Sequence, residues 1–329
     1  MHMFFRKKKF RFLIISFILL LLVIGFTLFG FSIDVDGSIK FLTNISSFNS
    51  ISYLTIGLGI IASIVVAIAF NFSSEASQGI TRNILASPFT LGLVPIMSLS
   101  YLIGNIIPNF DIWAVGLLAL GIMFFLNIIP NYFISNSKYK NSKSASILYG
   151  LSLSILVTST ITLLSYLTQG EHPNILGWMI ISVATFTNTK LFYGLLFLLC
   201  GCVIFFFIIK KIHIYEHAYF KASSLTINLS LLNMLSLTSI SLMCVGGFIA
   251  YAPFTLLGFA IPFITKKYLL NIYDIRFSLL PSTLLSISIT LCSYIINCYL
   301  QINVDILMTL LMLPFIFILI CQKKVNYVS

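Results

Sequence analysis

The sequence predicts an all-α polytopic membrane protein, with about ten transmembrane helices and both termini in the cytoplasm. Three observations predict it. The 329 residues are 59% hydrophobic and only 8% charged, with 19 Lys and Arg and 8 Asp and Glu. A soluble domain carries charge on roughly a quarter of its residues. The mean hydropathy is +1.06. The apolar residues fall in runs of about 18–22 without a charge, the length that crosses a bilayer as a helix. They lack the short alternation of a membrane β-barrel.

The predicted spans are 12–33, 51–72, 91–107, 112–134, 145–168, 190–209, 233–251, 254–265, 278–299 and 304–321. The first follows RKKKFR. Its apolar core is too long for a signal peptide, and FGFSIDVDG offers no small-residue cleavage site, so it reads as a retained helix. The eighth is short, and 172–189 reads as a surface or re-entrant helix. One transmembrane domain, 12–321, therefore lies between a basic N-terminus, 1–11, and a tail, 322–329.

Charge orients the spans. With the N-terminus inside, segments 1–11, 73–90, 135–144, 210–232, 266–277 and 322–329 face the cytoplasm. They hold 17 of the 19 Lys and Arg, all but Lys40 and Lys190. Asp34, Asp36, Asp111, Glu171 and Asp305 fall outside. This is the positive-inside bias, and the alternation needs an even number of spans. The net charge of +11 is thus topology plus attraction to anionic lipid, not a nucleic-acid patch.

Chemical motifs are sparse. Cys200, Cys202, Cys244, Cys292, Cys298 and Cys321 all lie in apolar runs without metal-ligand spacing, and read as small buried hydrophobes. No GxxxxGK[ST] is present, so the chain supplies no P-loop for ATP. His213-Ile-Tyr-Glu216-His217 matches an H-x-x-E-H string, in which two His bind zinc and the Glu activates water. A third ligand is needed, and the only later inner carboxylate, Asp274, lies two spans away. Solvated histidines at the inner surface are the plainer reading. The spans hold almost no ionisable groups, with Glu75 and Lys190 near span ends, which argues against an ion-coupled carrier. Ser, Thr, Asn and Gly line runs such as SLSILVTSTITLLSY, where they serve helix packing or a pathway.

One stretch is specific. Residues 77–92 read SQGITRNILASPFTLG, between two apolar runs. They resemble the loop L-Q-G-x-x-R-N-P-L-A-x-P-x-x-L-G of permeases of the iron–siderophore and cobalamin ABC importers, the FecCD/BtuC-like family. Gln78, Gly79, Arg82, Asn83, Leu85, Ala86, Pro88, Leu91 and Gly92 match in register, and Ile84 replaces a Pro. A second match is APFTLLGFAIPFITK (252–266), where Pro253, Gly258 and Pro262 coincide with the family pattern. Ala252, Thr255, Phe263 and Lys266 replace its Gly, Gly, His and Arg. Two prolines nine residues apart would bound a short half-helix. Such breaks survive in a membrane only when buried in protein or lining a cavity. YEHAYFKA (215–222) is similar to the family's G-E-x-A-x-x-L-G, and the closing PFIFILICQKK is similar to its P-F-F-x-x-L-L ending.

The resemblance implies a membrane-spanning permease subunit of an ABC importer in a bacterial plasma membrane. Its cargo would be an iron–siderophore or related chelate, with haem or cobalamin as alternatives. Beyond that class stand an ion-coupled secondary transporter and a metallopeptidase using the His213–Glu216–His217 string. The chain itself would be no enzyme and hold no cofactor. ATP and Mg would bind a separate ATPase dimer, docked on an inner coupling loop at about 210–232 through Glu216, His217, Ala218, Lys221 and Ala222. A second permease subunit, the same or related, would complete the pathway. An extracellular or lipid-anchored binding protein would deliver the substrate.

Overall fold

The computed structural model describes residues 31–33, 39–41, 50–107, 111–136, 144–168, 187–217, 228–251, 257–266 and 274–300. The predicted spans 12–33, for its residues 12–30, and 304–321, the segment 172–186 and both terminal segments lie outside these.

Apart from one antiparallel ribbon, the regular elements among the described residues are helices. Strand β1 (Phe31–Ile33) pairs with β2 (Ile39–Phe41), Phe31 opposite Phe41. The last three residues of the first predicted span are thus strand: FSI is β-branched and aromatic, the composition that pairs readily. The helices are α1 (Ser50–Thr81), α2 (Leu93–Ile106), α3 (Ile112–Met123), α4 (Ile129–Asn136), α5 (Ala145–Thr168), α6 (Asn188–His217), α7 (Leu229–Ala250), α8 (Leu257–Ile264) and α9 (Ile275–Leu300). A π-helical segment, Phe124–Ile128, joins α3 to α4. Six of the described helical stretches are long and apolar enough to cross a membrane: α1, α3 through α4, α5, α6, α7 and α9.

The side chains are sorted as a bilayer sorts them. Ser73, Ser74, Glu75 and Asn71 are completely buried, whereas Phe207 is 80% exposed and Ile155 69%. In water this arrangement would be inverted. In lipid, apolar side chains face out and polar ones must find partners inside.

α1 departs most from expectation. The span predicted to end at 72 continues to Thr81, through the polar stretch that reads as its inner end. The hydroxyls account for it: Ser77 donates to the Ser73 carbonyl at 2.7 Å, and Thr81 to that of Ser77 at 2.7 Å. Each is satisfied on its own helix, so the helix continues while buried. At about 1.5 Å per residue it is some 48 Å long, well beyond the apolar thickness of a bilayer.

α1 runs through the centre of the packing, against α6, α7, α8 and α9. Glycines permit the close crossings. A Cβ on Gly246 of α7 would sit 2.6 Å from the Gly194 carbonyl oxygen of α6, and one on Gly59 of α1 would sit 2.4 Å from the Tyr294 ring of α9. Ser239 of α7 donates to the Gly201 carbonyl at 2.8 Å. Small residues and interhelical hydrogen bonds are the usual means of joining helices in lipid.

The π segment has a local cause. Pro130 has no N–H to offer the Leu126 carbonyl one turn back. The Tyr149 hydroxyl of α5 takes that carbonyl instead, at 2.6 Å. The widened turn buries Asn127, whose Nδ2 donates to the Leu91 carbonyl.

Candidate functional site

The 78–92 stretch is a built structure rather than a slack connection. α1 ends at Thr81; Arg82 follows with a left-handed φ of 52°, and Asn83 N–H returns to the Gln78 carbonyl at 3.2 Å. The Asn83 side chain accepts from Leu85 N–H at 2.9 Å, forming the next turn. Ser87 and Thr90 then cap each other: Thr90 N–H donates to Ser87 Oγ at 3.2 Å, and Ser87 N–H to Thr90 Oγ1 at 2.8 Å. This is a reciprocal box around a first turn that Pro88 opens, where its missing N–H costs nothing. The turn stops at Gly92, with φ of 80°, and α2 begins at Leu93.

Neighbouring helices hold the loop's irregular carbonyls. Asn127 donates to Leu91, and Ser154 of α5 donates to Phe89 at 3.2 Å. A Cβ on Gly150 would sit 2.4 Å from Thr90 O, so α5 can lie directly on this backbone. The matched residues therefore have structural tasks. Gly79 admits α6, since its Cβ would meet Ile212 Cγ2 at 2.4 Å. Leu91 and Ala86 are buried, while Leu85 is 51% exposed at the tip.

Behind the loop lies a buried polar network. Asn71, Glu75 and Gln78 are spaced i, i+4, i+7 and share one face of α1. Ser278, Ser282 and Ser286 share one face of α9. Ser278 and Ser282 donate to Glu75 Oε1 at 3.0 and 3.3 Å. Asn71 Nδ2 donates to Ser282 at 2.9 Å. Lys266, just past α8, places Nζ 2.6 Å from Glu75 Oε2 and donates to Gln78 Oε1 at 3.1 Å. The Lys266 and Glu75 side chains are 1% and 0% exposed. The sequence reading places Glu75 near the inner end of its span and Lys266 in an inner loop. Glu75 lies six residues, about 9 Å, inside the end of α1, and Lys266 is buried rather than part of an inner loop. Gly258 of α8 packs beside them, where a Cβ would sit 2.6 Å from Ser74 Oγ. Pro262 lies inside α8 rather than bounding it, and the Thr265 hydroxyl bonds back to the Ile261 carbonyl just beyond. Pro253 is outside the described residues.

The inner rim carries a second charge cluster. Residues 210–217, expected to open a coupling loop at 210–232, are the last two turns of α6. Arg82 stacks over the Tyr215 ring, 5.0 Å from its centroid. Glu216 Oε2 approaches the Gly79 position. His213 Nδ1 lies 3.2 Å from Asp274 Oδ1, an ion-pair separation without hydrogen-bond alignment. Arg276 Nη2 lies 2.9 Å from His213 Nε2. Guanidinium only donates, so Nε2 accepts and the proton sits on Nδ1. Arg276 also clasps Asp274, with Nε and Nη2 at 3.2 and 3.0 Å from its oxygens. Burial pushes the Asp274 carboxyl up. The Arg276 hydrogen bonds and charge, with His213 alongside, outweigh that and hold it below its usual value.

Asp274 is two spans away in sequence yet beside His213 in space, so sequence distance was no argument against a third ligand. The surroundings are. Arg276 puts a cation against the remaining His213 nitrogen, and no group of three His, Cys, Asp or Glu among the described residues is arranged to hold a metal. Ala218, Lys221 and Ala222 lie outside the described residues, and His217 closes α6. Of the cysteines, Cys244 is buried, Cys202 and Cys292 are half-buried and Cys200 is exposed; all four are free.

Sequence reasoning missed the Glu75–Lys266 pair and the roles of Asn127, Ser278 and Ser282. One signal was present: the i, i+4 spacing of Ser278, Ser282 and Ser286 is a polar stripe on a helix that must be buried. Nothing in the sequence paired that stripe with Glu75.

The family model of the FecCD transport family matches residues 13–322. No protein of curated function matches significantly. Among solved structures, the chain is similar to one described as an inward-facing conformation of a protein assigned to the metal-chelate type of ABC transporters. The TM-score is 0.78 at 18% identity, over 95% of this chain and 99% of that one. At this identity the likeness speaks for the fold. The family match covers nearly the whole sequence, and with the motif-bearing loop seated among membrane-spanning helices it identifies the chain as a member of the FecCD transport family, the ABC-importer permeases its loops resemble.

Proposed function

We propose that this chain is the membrane-spanning subunit of an ABC importer that moves an iron–siderophore or related iron chelate across a bacterial plasma membrane. Haem and cobalamin are the alternatives within the family. The observation that carries the reading is the FecCD match over residues 13–322. The fold likeness to a transporter assigned to the metal-chelate type supports it. About ten spans with both termini inside agree with the charge bias. ATP and Mg act on a separate ATPase dimer, and closure follows from nucleotide states that favour different arrangements of two permease subunits. The ATPase docks at the end of α6 and the segment after it, through Glu216, His217, Ala218, Lys221 and Ala222. A lipid-anchored or extracellular binding protein supplies the cargo.

The test is affinity purification in mild detergent from the native cell, with mass spectrometry of the co-purifying chains, for wild type and Glu216→Lys. The expected result is an ABC ATPase with the wild type and less of it with the variant. Absence of any ATPase, under conditions that preserve a known importer, overturns the reading.

One observation favours an ion-coupled carrier, the buried carboxylate of Glu75. Its charge is already matched by Lys266. Uptake that survives ATP depletion and stops when the ion gradient is collapsed would establish that second reading.

A further inference from the structure

We propose that Glu75 and Lys266 form a permanent charge clasp that seats the half-helix α8 on the inner part of α1, so that α1, α8 and α9 move as one body. α8 has eight residues, about 12 Å of helix, far short of the apolar thickness of a bilayer. Hydrophobic length cannot hold it in place. It contains Pro262, which removes one of its few backbone hydrogen bonds. It ends beside a lysine buried to 1% exposure. An ammonium there needs a counter-charge, because an unpaired charge away from water is costly.

α1 supplies that counter-charge at one depth only. Glu75 is the one acidic residue of α1. Its other oxygen is held by Ser278 and Ser282, so α9 fixes the carboxylate from the far side. Gln78, one turn on, accepts from the same ammonium. Four groups on two helices thus define a single register for Lys266. Gly258 defines the approach distance, with its Cβ position 2.6 Å from Ser74 Oγ and 3.3 Å from the Phe70 carbonyl. Separating α8 from α1 would strand both charges. A junction built this way stays shut while other contacts open.

The experiment uses full-length protein in intact cells. Ser74→Cys/Gly258→Cys places two thiols at this contact, and oxidation with copper phenanthroline is read as the linked peptide pair by mass spectrometry. The same yield is expected in energised and in ATP-depleted cells. Adding Glu75→Gln, which bares Lys266, should lower the yield about tenfold, and Glu75→Gln with Lys266→Met should restore it. A yield that changes with cellular energy overturns the single body. A yield indifferent to Glu75→Gln overturns the charge clasp. If the single variant fails to accumulate, membrane abundance decides: recovery in the neutral double variant supports the clasp, and continued loss overturns it. None of these outcomes depends on the cargo or on which ATPase is present.

Discussion

The inner half of the molecule has two carboxylate–cation clusters of nearly the same composition and opposite circumstances. Glu75 and Lys266 sit between α1, α8 and α9 with no exposure to speak of. Asp274, Arg276 and His213 sit at the rim between α6 and α9, where Arg276 is half exposed. The rim cluster has the better hydrogen bonds, with a guanidinium held on two oxygens. By geometry alone it would be the stronger. Burial reverses the ranking of what each loses when broken. Water can replace a partner at the rim, and salt screens it. At the buried junction nothing replaces a partner, so the loss includes the stranded charge. The ion pair that matters most to the fold is thus the one with the fewest aligned hydrogen bonds.

The largest effect follows at once. Lys266→Met leaves the buried Glu75 carboxylate on the Ser278 and Ser282 hydroxyls without its counter-charge, and should destabilise the protein by about 3–5 kcal/mol. Thermal unfolding in mild detergent, monitored by aggregation, measures it. The neutral double variant Glu75→Gln/Lys266→Met should recover most of the loss. Equal damage from the single and double variants would mean that packing, not charge, ranks the two clusters.

An intermediate effect tests the ground between them. Gly79 lies on α1 where α6 crosses, with Ile212 Cγ2 2.4 Å from its Cβ position and Glu216 Oε2 3.8 Å away. Gly79→Ala drives a methyl into that contact and should cost about 1–3 kcal/mol by overpacking. Gly79→Ala/Ile212→Ala should relieve the collision, read again by thermal unfolding. If Gly79→Ala is harmless, α1 and α6 are not closely tied, and the rim can shift independently of the buried junction.

The sequence announced the scaffold through hydrophobic length and charge alternation. The span predicted at 145–168 is α5 to the residue, and 112–134 differs from the observed stretch by two. These quantities are local, and a bilayer imposes them on each segment separately. The failures came where a residue's meaning depends on a distant partner. SSEASQGIT is polar and puts the end of the predicted span at 72, although Gln78 and Gly79 read as late in a helix. It is helix because its hydroxyls fold back on the backbone and because Lys266, nearly two hundred positions on, accepts Glu75's charge. Asp274 was set aside as too far from His213 for the same reason. The loop 78–92 was legible in part: Pro88 reads as the start of the next helix, which begins only at Leu93, and the need for Asn127 under Leu91 arises only once the π segment places it there.

The smallest expected effect belongs to the rim. Asp274→Asn removes the carboxylate that Arg276 clasps, at a site solvent can reach, and should cost about 0.2–1 kcal/mol. Its dependence on conditions separates it from the buried pair. The folded protein holds the Asp274 carboxyl below its usual value. A group of that kind contributes stability above its unfolded pKa of about 4, and loses it as pH falls through the lowered folded value. The Asp274→Asn penalty should therefore persist down to about pH 5 and disappear only in stronger acid. It should also shrink between about 0.05 and 0.5 M salt, because the screening length falls below the size of the cluster. The Lys266→Met penalty should ignore salt over that range, since no mobile ion reaches the junction. Unfolding temperatures of the two variants across a salt series make the comparison in one experiment. A buried-pair penalty that falls in step with the rim's would mean that water and ions enter the junction between α1, α8 and α9. The two clusters would then differ in degree rather than in kind.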